Sequence, residues 1–491
     1  MAVDLAAPDS PGAISLMTLE YQLRRALIAL CGVAAVVGAA GITEEHVFHQ
    51  ASWLKYAVTI VGPLVLAALV VVGNPLALLT ALLIVAAPFA GFSMTLQGIH
   101  VPLLAPIILC AGAVAAVSEG GVARHRSALL SASVLFLILL ILPVAESPSR
   151  TDVVATLISL FAAAYFASRL ARTEHGFVML AWAFVASAGF QAAIAVWESE
   201  TGHRLNLYGA AGSQTLGPSY FFNYGSQARP PGAFYDPDSL GNVLAITLPI
   251  NVGLGVHYAM RRRWREVAIA VAALALIGVA LEITLSRMSW IGAAVGLIVI
   301  IVLVPQVRWR ALPVLAVAAI TLIGLGVFGQ QSTTIQRLSS ITHPLNETGT
   351  ANGDVVRVEL WRDALDIAEQ HPVAGVGLGE VANLLSARLE VAGTSAQGGN
   401  AQSVYLQLLA EGGLLAVCGL TAVLLAVTRD LMRTIRAERL WGAVLAGASA
   451  AMLICWLTDV TIRYSGVAVL MGVLFGMVAG RSSAAREVAA A

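Results

Sequence analysis

The sequence predicts an all-α fold: a polytopic integral membrane helix bundle with a long helical loop outside the membrane. Of its 491 residues, 58% are apolar and only 11% are charged, whereas soluble domains carry about 25% charged residues. This composition excludes an ordinary soluble enzyme, and the net charge of zero provides no basic face for nucleic acid. Repeated apolar runs of about 20 residues, the length that crosses ~30 Å of hydrocarbon, predict the spans.

Along the chain we predict about 12–14 transmembrane helices, because some neighbouring apolar runs are separated only by a short turn. The runs are centred near 26–41, 57–72, 75–91, 101–117, 128–144, 152–168, 177–197, 239–258, 266–283, 288–304, 311–329, 410–428, 441–459 and 465–480. The first run follows a polar start without a cleavage-type sequence, so we interpret it as an anchor and not as a signal peptide.

The positions of the arginines predict the orientation, since Lys and Arg are retained on the cytoplasmic side of a membrane. Short connections such as Arg261–Arg265 and Arg429–Arg439 hold most of the arginines and alternate with arginine-poor connections. We therefore predict a multi-pass protein of the bacterial cytoplasmic (inner) membrane with both termini in the cytoplasm.

Two predicted outer segments are too long to be simple connectors, and they divide the chain into five parts. These parts are an N-terminal transmembrane bundle (1–198), an outer loop (199–238), central transmembrane helices (239–329), a large outer loop (330–409) and C-terminal transmembrane helices (410–491). Long ordered loops are usually functional. In the larger loop, apolar residues at helical spacing over Asp354–Gln370 predict a surface helix at the membrane boundary, ended by His371-Pro372.

Arginines in the outer segments are the candidate site residues, because topology disfavours them beside span ends. Arg287 lies in a tight turn between two spans, where anchoring at the interface beside Trp290 or pairing with Glu282 are the alternatives to ligand binding. Arg357 and Arg362 lie on the predicted surface helix, where pairing with neighbouring acids is the alternative.

Arg229 lies in a proline-rich segment that leads into a predicted helix. We predict Asp238 or Ser239 as the N-cap of that helix. Since capping explains Asp238 well, we do not assign this carboxylate the role of a catalytic acid.

Several arginines on one outer surface suit a phosphate or pyrophosphate ligand, which the planar guanidinium binds with two parallel hydrogen bonds. On the outer face of a membrane, lipid-linked sugars are the carriers of pyrophosphate. Proline interrupts the acidic pair in Asp236-Pro237-Asp238, so we predict no metal site and no cofactor.

Five segments, in this order, resemble the O-antigen ligase and O-antigen polymerase family of membrane glycosyltransferases. They are Arg229–Asp238 (RPPGAFYDPD), Ser286–Trp290 (SRMSW), Arg357–Trp361 (RVELW), His371–Gly379 (HPVAGVGLG) and Ser403–Gly413 (SVYLQLLAEGG). The likeness covers about residues 200–480. It implies a metal-independent enzyme that uses a lipid-linked donor, in which Arg287 and Arg357 contact the donor pyrophosphate.

The family has a histidine at the position that Gln402 occupies here, and the resemblance implies that this histidine is the general base or positions the acceptor. Glutamine does not titrate. Three alternatives follow: Glu380 is the base, His343 or His371 approaches in space, or Gln402 only orients the acceptor. We assign substrate-binding roles to Arg229, Arg362 and Tyr405, and a structural role to Glu411.

The predicted function is transfer or polymerisation of a glycan on the outer face of the membrane, with inversion at the anomeric carbon. The donor is a glycan on a polyprenyl (undecaprenyl) pyrophosphate, and the acceptor is a hydroxyl of a glycan, lipid or protein. A flippase or a chain-length regulator is the expected protein partner. The alternatives are a lipid-linked oligosaccharide flippase and a catalytically inactive relative.

Overall fold

The computed structural model describes most of the chain after residue 74. The described residues are 75–89, 93–96, 99–102, 104, 107–109, 111–112, 128–145, 151–201, 223–224, 227–234, 236–305, 353–385 and 400–490. The predicted spans at 26–41, 57–72 and 311–329 lie outside these residues, as does His343.

Helices account for most of the described residues, which confirms the predicted all-α class. The α-helices are α1 (Pro75–Ala86), α2 (Ala128–Leu139), α3 (Ile141–Ala145), α4 (Thr151–Leu170), α5 (Glu174–Thr201), α6 (Pro237–Met260), α7 (Trp264–Ile283), α8 (Arg287–Leu303), α9 (Gly353–Gln370), α10 (Val404–Ala437), α11 (Arg439–Cys455) and α12 (Ser465–Ala490). Short 3₁₀ helices occupy Ala87–Phe89 and Thr461–Arg463.

Two small antiparallel hairpins, which the sequence did not predict, accompany the helices. Strand β1 (Ser93–Leu96) pairs with β2 (Ile99–Pro102). Strand β3 (Asn223–Tyr224) pairs with β4 (Gln227–Ala228), immediately before Arg229.

Among the described residues, six helices are long and apolar enough to cross a membrane. They are α4 from Val153, α5, α6, α7, α10, and α12 as far as Ala489, and shorter apolar helices lie at Leu76–Ala86, Arg287–Leu303 and Arg439–Cys455. All of these lie where the sequence predicts spans, whereas the predicted span at 128–144 is divided between α2 and α3.

Glycines on α12 allow this helix to pack closely against α4. Gly472, Gly476 and Gly480 lie one turn apart on α12, and a β-carbon on any of them would come within 3.0 Å of an α4 carbonyl oxygen. Small residues at this spacing let two helix backbones approach closely, which is the usual way for membrane helices to associate.

The segments predicted for the two sides of the membrane lie at opposite ends of the described bundle. At one end, Arg261 pairs with Glu174, Arg481 pairs with Glu438, and Arg439 Nε donates to the Leu303 carbonyl at 2.6 Å. The other end holds the start of α6, the α7–α8 turn, α9 and the start of α10. Which end faces the outside stays a prediction.

Cysteine labelling tests this orientation at two exposed side chains, Trp264 (67% exposed) and Val373 (58% exposed). In a variant without the native cysteines, we expect a membrane-impermeant maleimide to label Val373→Cys but not Trp264→Cys in intact cells, because arginine-rich connections stay inside. Both positions should react after the membrane is dissolved in detergent. Labelling of position 264 alone in intact cells contradicts the orientation.

Candidate active site

Arg229 joins two parts of the chain at the end of the bundle that lacks the arginine-rich connections. Its Nε donates to the Thr284 carbonyl at 2.7 Å, and its Nη2 donates to Asp238 Oδ1 at 2.8 Å. Only 8% of the residue is exposed. Arg229 therefore fixes the start of α6 against the α7–α8 turn.

The loop after Arg229 is held from α5 by two polar side chains. Gly232 N donates to Glu198 Oε2 at 3.0 Å, and Ala233 N donates to Gln191 Oε1 at 2.8 Å. Buried backbone donors need such partners, because leaving them unpaired costs about 1–3 kcal/mol each. The loop is thus a fixed part of the bundle end.

The N-cap of α6 is Asp236, so the prediction of Asp238 or Ser239 as the cap is wrong. Asp236 Oδ1 accepts from Ser239 N at 2.6 Å, and Pro237 occupies the first helical position. Proline is favoured there because its missing N–H has no intrahelical partner to lose. The Asp238 carboxylate is therefore available for ion pairs.

Asp238 brings two distant arginines together. Besides its bond to Arg229, its Oδ2 lies 3.9 Å from Arg357 Nη2. Both partners of this second pair have side chains that are 25% exposed, which leaves the arginine accessible from the surface. The predicted helix at 354–370 is confirmed as α9, and its Arg357 faces the start of α6.

Arg287 begins α8 directly after a strained turn. Leu285 in that turn has φ +53°, a left-handed conformation that costs a bulky side chain about 1–3 kcal/mol. The Arg229 bond to Thr284 holds the same turn. Arg229 thus connects two features. It binds Asp238, which pairs with Arg357, and it binds the backbone of the turn that positions Arg287.

Asp459 and Asn242, which sequence reasoning missed, lie in a polar network beneath these arginines. Asn242 Nδ2 donates to Asp459 Oδ2 at 2.6 Å, and Ser289 Oγ donates to Asn242 Oδ1 at 2.8 Å. Val460 N donates to Asp459 Oδ1 at 2.7 Å. The sequence feature that could have identified Asp459 is its position at the end of an apolar run, where ionisable residues are often functional.

Gln402 lies between α9 and the connection that follows α11. Its φ is +47°, and its N and Nε2 both donate to Asn400 Oδ1, at 3.0 and 2.9 Å. The indole Nε1 of Trp361 approaches the Gln402 carbonyl at 3.5 Å, and Val404 N donates to the Trp456 carbonyl at 3.0 Å. The structure thus places this turn against the helix that carries Arg357.

The other predicted site residues occupy different surroundings. Tyr405 Oη donates to the Leu453 carbonyl at 3.2 Å and its ring packs edge-on against Trp456. Glu380 Oε2 accepts from Asn383 Nδ2 at 2.8 Å, and Arg362 is exposed on α9. The described contacts bring Arg229, Arg357 and the Arg287 turn together, whereas Tyr405 packs against α11.

Glu411 is almost completely buried, at 2% exposure, where α10 changes direction. It accepts from Gln407 Nε2 at 2.5 Å and pairs with Arg463 Nη1 at 3.0 Å. Just beyond it, Gly413 has φ +57° and interrupts the helix, and Leu414 N donates to the Pro372 carbonyl at 2.9 Å. The His371–Gly379 segment is thereby joined to the break in α10.

Two carboxylates at this end of the bundle hold protons more tightly than usual. Burial and the neighbouring Asp238 charge raise the pKa of Asp236 to about 6. Burial and the charges of Asp236 and Asp238 raise the pKa of Asp459 well above its ordinary value. Buried carboxylates that repel one another favour the protonated form.

The helices and this paired set of arginines and carboxylates define a polytopic membrane protein with a polar site at one end of its bundle. A family model described as O-antigen ligase matches residues 272–421, and the resemblance to the O-antigen ligase and polymerase family is confirmed. The match includes Arg287, Arg357, Glu380, Gln402 and Tyr405. No curated protein matches the chain.

Proposed function

We propose that the protein is a glycosyltransferase that acts on the outer face of the cytoplasmic membrane. It transfers or polymerises a glycan carried on a polyprenyl pyrophosphate. The family match supports ligase- or polymerase-type glycan transfer in general. The observation that carries the finer proposal is the linkage of three separate segments: the Arg229–Asp238 loop, the turn before Arg287, and Arg357 on α9.

The arginines suit the donor because pyrophosphate gains negative charge as the bond to the sugar breaks. A guanidinium in a fixed orientation stabilises that charge without reorganising, which is the largest contribution in many enzymes. Arg357 is oriented by Asp238, and the Arg287 turn is held by Arg229. We assign donor contacts to Arg287 and Arg357 and reassign Arg229 to a positioning role, since its guanidinium is already bonded.

The reaction is a displacement at the anomeric carbon. The acceptor oxygen forms a bond to that carbon, and the bond from the carbon to the phosphate oxygen breaks with its electron pair leaving on phosphate. In-line attack inverts the carbon. Holding the two reactants in this geometry lowers the barrier by removing the entropy loss of a bimolecular encounter.

Gln402 is proposed to position the acceptor hydroxyl. Its carbonyl faces Trp361 and its side chain bonds to Asn400, so the turn is fixed against α9. An amide donates and accepts hydrogen bonds but cannot take a proton at neutral pH. A separate group or the leaving phosphate must therefore receive the hydroxyl proton.

A lipid-linked oligosaccharide flippase is the second candidate. A flippase requires cationic residues inside its spans, facing a central cavity. Here the arginines of the candidate site lie at helix ends and on α9, which favours the enzyme. A flippase or a chain-length regulator remains our proposal for a partner.

Deletion of the gene tests the proposed function. We expect a glycan linked to polyprenyl pyrophosphate to accumulate, measured by mass spectrometry of the lipid extract, while the finished surface polysaccharide is lost. Accumulation on the cytoplasmic leaflet only would support the flippase. Unchanged lipid-linked intermediates would exclude both candidates.

Substitutions at Gln402 test its assignment as the acceptor-positioning residue. We expect Gln402→His to remain active, because imidazole also donates and accepts hydrogen bonds, and Gln402→Ala to raise the KM for the acceptor more than the KM for the donor. Transfer rates at varied donor and acceptor concentrations measure both. An equal effect on the two constants, or none, would remove Gln402 from the acceptor site.

A further inference from the structure

The transfer reaction releases one proton from the acceptor hydroxyl, and four described carboxylates at this end of the bundle are poor candidates to receive it. One oxygen of Asp238 is bonded to Arg229 and the other faces Arg357, so both are engaged by guanidinium groups. Asp459 has both oxygens bonded, one to Asn242 and one to Val460.

Glu411 and Glu380 are less suitable for different reasons. Glu411 is 2% exposed and is bonded to Gln407 and Arg463, so a substrate hydroxyl does not reach it. Glu380 bonds to Asn383 in the turn after His371–Gly379. The segment just before it is bonded to the break in α10, through Val376 N to the Ala410 carbonyl and Gly377 N to the Glu411 carbonyl.

Asp236 differs from these four. The described hydrogen bonds of its side chain come from Ser239, in the first turn of α6, and the residue is partly exposed. Its charge and that of Asp238 repel each other, so Asp236 lies near the carboxylate that faces Arg357. On this basis we expect a hydroxyl that attacks a donor bound at Arg357 to approach Asp236.

We propose that Asp236 is the general base of the transfer reaction, accepting the proton of the acceptor hydroxyl as its oxygen attacks the anomeric carbon. The inference rests on the proposed function. The hydroxyl proton goes to the Asp236 carboxylate, the new carbon–oxygen bond forms, and the phosphate oxygen leaves with the electron pair of the broken bond.

In this proposal Asp236 accepts the proton, and Asp238 has the electrostatic role of orienting an arginine. Asp238 is held as an anion by its arginines and orients Arg357. Asp236, whose pKa is raised to about 6 by burial and by Asp238, changes protonation near physiological pH, as a general base must. Neighbouring carboxyls whose surroundings separate their pKa values are a recurrent arrangement in enzymes.

Several charges act on Asp236. Asp238 and Asp459 disfavour its ionised form, whereas Arg229 and the bond from Ser239 favour that form. A base with this pKa is active when deprotonated. The turnover rate of the wild type should therefore fall as the pH drops through about 6.

Asp236→Asn separates the capping role from the chemical one, because asparagine caps a helix as well as aspartate does but does not accept a proton. The assay uses the full chain in detergent and the lipid-linked glycan that accumulates in the deletion strain. We expect kcat to fall about 100-fold or more, with the KM for the donor and the melting temperature unchanged. The acidic fall of the pH–rate profile should disappear.

The controls distinguish the possible failures. Asp236→Ala removes the cap as well and should lower the melting temperature, whereas Asp236→Asn should not. If Asp236→Asn keeps its activity within about two-fold, the inference is wrong, and loss of turnover in Glu380→Gln would then identify Glu380 as the base. If the wild type itself transfers no glycan, the proposed function fails and this inference fails with it.

Discussion

Arg357→Lys is expected to lower glycan transfer about 100-fold while the protein inserts and purifies normally. Lysine keeps the charge but lacks the planar pair of donors that binds two phosphate oxygens. Arg287→Lys should have a similar effect, for the same reason. Single-turnover rates with the extracted lipid-linked donor measure both.

Arg362→Lys is the matched control for Arg357→Lys, since both residues lie on α9 and Arg362 is exposed. We expect a milder loss in this variant. Near-normal turnover of Arg357→Lys would show that Arg357 does not contact the donor and serves only in its ion pair with Asp238. Near-normal turnover of Arg287→Lys would show that Arg287 is only an anchor at the membrane interface.

Gly413→Ala is expected to destabilise the protein by about 3 kcal/mol, because strain and overpacking act together. Gly413 has φ +57° and ψ −152° within α10, and a β-carbon there would come within 3.0 Å of the Val373 and Pro372 carbonyl oxygens. The change would therefore push the His371–Gly379 segment away from the break in α10. Thermal unfolding in detergent measures the loss.

Gly189→Ala in α5 provides the control for Gly413→Ala. A β-carbon on Gly189 meets nothing within 4 Å, so alanine should be neutral or slightly stabilising in the helix. Equal melting temperatures for the two variants would contradict the account of the break in α10.

The spans and α9 could be predicted because their signals are local. Apolar runs define the length of a span, and the 3.6-residue period of residues 354–370 predicted the helix observed at Gly353–Gln370. The N-cap at Asp236 could also have been predicted from the sequence, because a proline at the next position marks the first residue of a helix. Assigning the cap to Asp238 or Ser239 overlooked that signal.

The meeting of Arg229, Asp238 and Arg357 depends on tertiary packing and was not predictable from spacing. Four predicted spans and the first third of the large outer loop separate Asp238 from Arg357 in the sequence. The break at Gly413 was missed for a similar reason. The sequence predicts a span at 410–428, whereas the helix begins at Val404 and the His371–Gly379 segment supplies the hydrogen-bond donors and acceptors at the break.

Glycan transfer from the extracted donor by the purified full chain tests the central claim most directly. The account predicts that lipid-linked glycan disappears, that polyprenyl pyrophosphate appears in equal amount, and that the new linkage has the inverted anomeric configuration. Mass spectrometry of the lipid and nuclear magnetic resonance of the glycan measure all three. Intact lipid-linked donor after incubation with the purified protein and a competent acceptor fraction would contradict the account.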